Sequence, residues 1–526
     1  MTRTAGEIGA GLTGPRQARP IRPDERIHIV GVAGAGASAA ALLAHAAGAA
    51  VSGCDAGGES PYTPALHAAG IRIAGHHDAA HVTADPPPTR LAVTKALTAI
   101  APDHPELAAA VAAGVPVEPW QQLVADAAAG RRLVAVAGTH GKSTTSGWLV
   151  HVLVTAGQDP SAFVGALLPG TVTPDGPATA RVGRGDLFVV EADEYAGNFD
   201  AYHPEVIVLT SAEWDHPDVF ADREAVLAAF EAWIWRAADG VPDARLPVLV
   251  ANVGDPGVAE IVERLGAWPG RLVAVALVDV APQRIGGFAR GITDRFRTAP
   301  GAATVVLGRI TDARPDATRL DIHGLDALTG PVSVALPMAG RHNAANALGV
   351  AGACLAIGLE PALILDGLAS FPGIGRRLEF KGEAGNVVVY DDYGHHPTAI
   401  RETIAAIRQR EPGRRVWAVY EPLTYHRTAA LLGDFGSALA SADAVAVADI
   451  WAGRDPDTSI TSPQALVAAV VRLRPEIPIA ATGSAEQTAD WLAGEVRAGD
   501  AVLVMGGGRS YRIGERLLER LRGADE

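Results

Sequence analysis

The apolar run Leu133-Val134-Ala135-Val136-Ala137 passes without a break into Gly138-Thr139-His140-Gly141-Lys142-Ser143-Thr144 and then into a stretch with helical spacing. A buried strand, a glycine turn and a helix in that order commit the chain to an α/β layer with the turn at the carboxyl end of a parallel strand. Backbone N–H groups of such a turn converge on phosphate oxygens. The helix start adds positive potential, Lys142 neutralises charge, and Ser143 offers a hydroxyl to Mg²⁺. The longer P-loop pattern needs glycine at position 136, where Val136 stands, so the shorter G-T-H-G-K-[ST]-T form is expected, with Gly138 to Thr144 as the phosphate cradle.

Strands alternate with helical stretches on both sides of this turn, and 526 residues suffice for two to four domains. The predicted organisation is a flexible extension over 1–22, a Rossmann-like first domain over 23–127, a P-loop central domain over 128–372 and a Rossmann-like third domain over 373–526. Residues 281–336 break the rhythm and read as a β-rich insertion. The extension carries Arg3, Arg16, Arg19 and Arg22 and lacks the apolar core of a signal peptide. The apolar run 344–357 is too short for the ~20 residues of a bilayer span, so no membrane insertion is expected. A net charge of −15 argues against nucleic acid as a partner. Two cysteines, Cys54 and Cys354, give no disulfide framework, and a reducing, cytoplasmic setting is expected.

Acidic and imidazole groups recur at strand ends, where parallel sheets assemble their sites. Glu191-Ala192-Asp193-Glu194 closes one strand, and Asp215-His216 follows another; oxygen and imidazole donors beside a phosphate cradle suit Mg²⁺. Gly31, Gly34 and Gly36 form a G-x-x-G-x-G turn with Asp55 after the next strand. This is not the dinucleotide spacing, and tight-turn packing explains it as well as a docked phosphate does. Asn343 precedes an alanine-rich helix, where it can cap or pair with an adenine edge. Arg377 offers fixed charge at the start of the third domain. Asp391-Asp392-Tyr393-Gly394-His395-His396 ends a further strand, and Arg427 follows the next, with a guanidinium fork suited to a carboxylate.

In order, G-T-H-G-K-S-T-T, E-A-D-E-Y, E-W-D-H-P-D, G-R-H-N-A-A-N-A, G-I-G-R-R-L-E and D-D-Y-G-H-H-P-T resemble the Mur ligases, most closely the branch joining L-alanine to UDP-N-acetylmuramate. The resemblance runs from about residue 25 to the C-terminus. It implies an ATP- and Mg²⁺-dependent amide ligase of cytoplasmic peptidoglycan precursor synthesis, working through an acyl phosphate. UDP-N-acetylmuramate is then assigned to the first domain (Gly31, Gly34, Gly36, Asp55), ATP to the central one and L-alanine to the third. On the same match Lys142 holds the β/γ-phosphates, Ser143 and Glu191 one Mg²⁺, and His216 a second. Asn343 meets the adenine, Asp392 the ribose and Arg377 the phosphates, while His395 and Arg427 serve the reacting centre and the amino-acid carboxylate. The sequence departs from the family pattern at Ala33, Ala37, Thr94 to Leu97, Trp120, Ser211 and Leu423. The alternatives are the relative that attaches a recycled tripeptide to the same UDP-sugar and a non-catalytic nucleotide-dependent binding protein. A dehydrogenase is the least favoured. The oligomeric state is left open.

Overall fold

The computed structural model describes residues 7–239, 241, 245–296, 303–325, 330–453, 455 and 457–524. Arg3 and the rest of the first six residues lie outside the described residues. The strands form three sheets. The first is wholly parallel, in the spatial order Arg72–Ala74, Ala50–Cys54, Arg26–Val30, Arg90–Val93, Val117–Pro119. Its order reverses beside Arg26–Val30, the kind of switch point where open α/β sheets leave a crevice.

The second sheet has ten strands, and Arg132–Ala137 lies between Val206–Leu209 and Leu187–Ala192, all parallel. Their registers pair Ala137 with Leu209 and with Ala192, so the turn after Ala137 opens between the ends of both neighbours. These strands are apolar because helices cover both faces, which leaves no solvent side to specify. The helix Arg341–Ala356 fills one of those faces with its alanines and glycines: a Cβ added at Gly352 would lie 2.6 Å from Val250. Among the described residues, no helix is long and apolar enough to cross a membrane.

The region 281–336, expected as a β-rich insertion, is continuous with the central sheet. A helix, Ile285–Arg295, comes first, and Thr304–Ala313, Thr318–His323 and Val332–Leu336 then continue the same central sheet. Thr304–Ala313 joins it in parallel, and the other two strands add antiparallel as a meander.

The third sheet pairs Val387–Asp392 with Asp500–Gly506 and the latter with Arg415–Glu421, all parallel. Asp392 lies opposite Met505, and Glu421 opposite Gly506, so the chemistry-bearing ends of three strands coincide.

Residues 7–22 were expected to be a flexible extension and are instead held in place. Ile8 is buried against Tyr195 and Ala196 of the central domain, the Gly9 N–H donates to Thr98 Oγ1 at 2.8 Å, and the Thr13 N–H donates to the Val117 carbonyl at 2.8 Å. The cause is charge. Three buried carboxylates, Glu25, Glu118 and Asp126, surround the buried Arg90 guanidinium. One cation cannot compensate three buried anions. Arg16 bonds Asp126 at 2.6 Å and Glu118 at 3.3 Å, and Arg19 bonds Glu25 at 2.6 Å, which brings the cluster to balance.

Candidate functional site

The Gly138–Thr144 turn is built by exclusion of side chains. Gly138 has φ +135° and Gly141 φ +79°. A Cβ would meet Thr210 Oγ1 at 2.3 Å from the first and Asn346 Oδ1 at 2.5 Å from the second, so only glycine lets the backbone pass. Ser211, one of the departures from the family pattern, accepts the His140 N–H at 2.8 Å and steadies the turn. The helix Lys142–Thr155 begins directly behind it, aiming free N–H groups forward.

Lys142 is partly buried, with Nζ donating to the Gly138 carbonyl at 2.6 Å and to Glu194 at 2.9 Å. Burial alone would depress its pKa, but Glu194 and Asp193 outweigh that and raise it. Ser143 Oγ donates to Glu191 at 2.9 Å, and the other Glu191 oxygen accepts the Gly165 N–H at 2.6 Å. His216 does not join the Ser143–Glu191 pair. It gathers instead with Asp193 and Glu194, all three ligand atoms lying within 4.8 Å of one another. Glu194 Oε1 is buried and accepts no hydrogen bond. An orphaned carboxylate oxygen beside Asp193 and an imidazole is a donor set that fits a hard cation. Asp193 and Glu194 thus belong to the site although only Ser143, Glu191 and His216 were assigned to metal; three acids within four residues at a strand end are the signal for them.

The third domain reaches into the same place. Arg377 donates to Ser143 Oγ at 2.7 Å and lies over the Tyr393 ring. Arg427, expected as a fork for a carboxylate, is buried, with Nε on Asp215 at 2.7 Å and Nη2 at 3.1 Å from His216 Nδ1. That guanidinium holds the Asp215 carboxyl well below its ordinary range against the opposing effect of burial. The side chains assigned to adenine and ribose are engaged within the protein: Asn343 donates to the Ala339 carbonyl at 2.7 Å, and Asp392 accepts N–H groups from Leu378 and Gly394 at 2.8 and 2.7 Å. Both still line a shared cavity of about 840 Å³, as do Lys142, Glu191, His216 and Arg427.

His395 and His396 lie at the cavity's third-domain side. Burial and the nearby Arg427 push His395 well below the ordinary histidine range. Its Nδ1 lies 2.9 Å from the Tyr393 carbonyl, so a neutral ring donates there and keeps Nε2 as an acceptor. His396 lies against His140 with the rings tilted by 40° and their centroids 4.4 Å apart, and its Nε2 lies 3.2 Å from the Trp214 carbonyl. Burial and His140 push it down to about 4, against Asp215 and Glu213, which act oppositely. An unfolded histidine protonates near 6.5, so between about 6.5 and 4 the unfolded chain binds a proton that the folded chain refuses. Stability should therefore fall as pH drops through that window. In thermal melts across it, His396→Gln should show a shallower fall than the wild type; an equal slope would remove His396 as a contributor.

Gly31, Gly34, Gly36 and Asp55 do not line this cavity, to which the first domain contributes Ala96 and Ile100. Asp55 shapes the Gly31 to Gly36 turn from within, accepting N–H groups from Ala33 at 3.1 Å and Gly57 at 2.8 Å. Gly36 is required by packing, since a Cβ there would sit 2.2 Å from the Trp120 ring. Two other departures also have structural places: Lys95 donates to the Ala196 and Gly197 carbonyls at 3.0 and 2.7 Å, and Leu423 packs where Gly507 leaves room.

Comparison with known proteins matches three family profiles along the chain. They are described as Mur ligase family, catalytic domain (26–132), Mur ligase middle domain (136–354) and Mur ligase, glutamate ligase domain (376–508). A UDP-N-acetylmuramate–L-alanine ligase of Frankia casuarinae is 37% identical over 94% of this chain and 98% of its own. One of Kineococcus radiotolerans is 38% identical over 94% and 96%. Among solved structures, a UDP-N-acetylmuramate-alanine ligase of Thermotoga maritima aligns with TM-score 0.74 at 22% identity, covering 95% of this chain and all of that one. A murein peptide ligase of Psychrobacter arcticus gives 0.68 at 23%, covering 95% and 99%.

Proposed function

The chain belongs to the Mur ligase family, and from that premise we propose that it joins L-alanine to the lactyl carboxylate of UDP-N-acetylmuramate, using ATP and passing through an acyl phosphate. The observation that carries the reading is the meeting of two domains over one turn. Arg377 of the third domain bonds Ser143, and Arg427 bonds Asp215, so the phosphate cradle and the third-domain strand ends share one cavity. A reaction that must keep an activated carboxyl from water needs such a closed junction.

In the first half-reaction the carboxylate oxygen attacks the γ-phosphorus and ADP leaves. In the second, the amine of L-alanine attacks the carbonyl carbon, phosphate leaves, and the amine's proton passes to a base or water. Lys142, the start of the helix Lys142–Thr155 and Arg377 face the charge that spreads over the transferring phosphoryl group. Ser143 and Glu191, and His216 with Asp193 and Glu194, would hold Mg²⁺, which would supply further neutralisation of the phosphates. The neutral His395 presents Nε2 as an acceptor that takes a proton from the incoming ammonium or orients its amine, and Arg427 faces its carboxylate. Gly31, Gly34 and Asp55 serve the UDP-sugar at the first domain's switch point, in a compartment holding the soluble precursors.

The reading is tested by phosphate release from ATP with UDP-N-acetylmuramate and, separately, L-alanine, glycine, L-serine or the tripeptide of recycled wall. Release should require both the UDP-sugar and the amino acid, favour L-alanine, stop with chelator and return with Mg²⁺. Glu191→Ala and His216→Ala should each raise the Mg²⁺ concentration needed. Preference for the tripeptide would move the chain to the recycling branch; release without an amino acid would remove the ligase reading.

A further inference from the structure

A second cluster of ligating side chains lies in the first domain, away from the reaction cavity. His28 from the strand Arg26–Val30, Cys54 from the end of Ala50–Cys54, His81 from the short helix Ala80–Thr83 and Glu106 from the helix Pro105–Ala113 place one ligand atom each within 4.8 Å of all the others. Glu106 is the hub. Its carboxylate oxygens lie 3.2 Å from His28 Nε2, 3.1 Å from Cys54 Sγ and 3.1 Å from His81 Nδ1.

We propose that His28, Cys54, His81 and Glu106 form a structural Zn²⁺ site. The donors are two imidazoles, one thiolate and one carboxylate, the borderline set that zinc accepts. Bonds of about 2.0–2.3 Å in a tetrahedron give donor–donor edges of about 3.3–3.8 Å, inside the 4.8 Å within which the four ligand atoms already lie.

Two further observations point to a ligand rather than to packing. His28 is 3% exposed; its Nε2 faces the Glu106 carboxylate at 3.2 Å without hydrogen-bond alignment, while Nδ1 of the same ring is fixed by Ser52 Oγ at 2.9 Å. That is the arrangement in which a metal-binding imidazole is oriented through its far nitrogen. Glu106 Oε1 is likewise steadied from outside, by the Asp78 N–H at 3.2 Å. His77 Nδ1, 3.2 Å from Cys54 Sγ, stands by at the rim.

On binding, the S–Zn bond replaces the S–H bond and the thiol proton passes to solvent. Burial and Glu106 now hold that thiol in its protonated form. The site would tie two strands to the helix Pro105–Ala113 directly beneath the first glycine turn, because the Cys54 carbonyl accepts the N–H groups of Gly31 and Val32 at 2.8 and 3.1 Å. Its function is independent of the ligase assignment.

The test uses the full-length chain, stripped with chelator and titrated with Zn²⁺ and with Co²⁺ as a spectroscopic substitute. Expected are one equivalent of tightly held Zn²⁺ and, with Co²⁺, a thiolate-to-metal charge-transfer band with the intense visible bands of a tetrahedral site. Cys54→Ser should abolish the charge-transfer band, and the control Cys354→Ser should keep it. His81→Ala, at the partly exposed rim, should weaken Zn²⁺ binding by at least ~100-fold without unfolding the domain. The proposal is overturned if the wild type shows no thiolate band, if the band survives Cys54→Ser, or if His81→Ala binds Zn²⁺ as tightly as the wild type. The first result would leave Glu106 as the hub of a hydrogen-bonded network only. Zinc captured by the imidazoles of the reaction cavity would persist in both variants and so be told apart.

Discussion

Lys142→Ala is expected to lower phosphate release by roughly 10²–10³-fold, about 3–4 kcal/mol of transition-state stabilisation. Backbone N–H groups, a helix start and a cation converge at the turn that carries Lys142. The structure adds a second effect that an exposed lysine would not have. Nζ is bonded to the buried Glu194, so truncation strands a carboxylate, a loss of about 3–5 kcal/mol when a buried pair is broken from one side. The two effects separate in the double variant Lys142→Ala with Glu194→Gln. Its melting temperature should recover towards the wild type while phosphate release stays low. Near-normal release in a folded Lys142→Ala protein would refute the phosphate-cradle assignment.

Arg427→Ala should reduce kcat/KM for L-alanine by at least ~100-fold, about 2.7 kcal/mol. Arg427 ties the third domain to Asp215 and His216 of the central one, and its removal leaves Asp215 buried without its cation. Arg427→Lys should also fail, because a point charge cannot span a carboxylate and an imidazole as the planar fork does. A double-mutant cycle with Asp215→Ala distinguishes two roles. If Arg427 acts only by holding Asp215, the second substitution adds nothing to the first. If it also receives the amino-acid carboxylate, KM for L-alanine rises further in Arg427→Ala than in Asp215→Ala. Unchanged kinetics in both Arg427 variants would leave the amino-acid site unassigned.

The parts of the fold written in local pattern were readable in the chain. Val206–Leu209 and Ala444–Ala448 are short apolar runs between turn residues, and both are strands buried on two faces. Arg72–Ala74 and Ile479–Gly483 carry little such signal, being short or poor in bulky apolar residues, and owe their extension to neighbouring strands. The site divides the same way. The cradle is contiguous, so its residues were identifiable together. The engagement of Arg427 with Asp215 spans 212 positions and crosses a domain boundary, and no local pattern encodes it. Trp120 shows the converse: its ring explains Gly36, which in sequence looks like a ligand glycine. Residues 7–22 read as loose because their partners Glu118 and Asp126 lie about a hundred positions downstream.

That N-terminal segment runs across the seam between two domains, with Ile8 seated on Tyr195 and Ala196 of the central one and Arg16 and Arg19 locked into the acidic cluster of the first. It therefore joins the first domain to the central one alongside Lys95, which donates to the Ala196 and Gly197 carbonyls. A chain shortened to begin at residue 23 would lose that seat and two of the three cations of the cluster together.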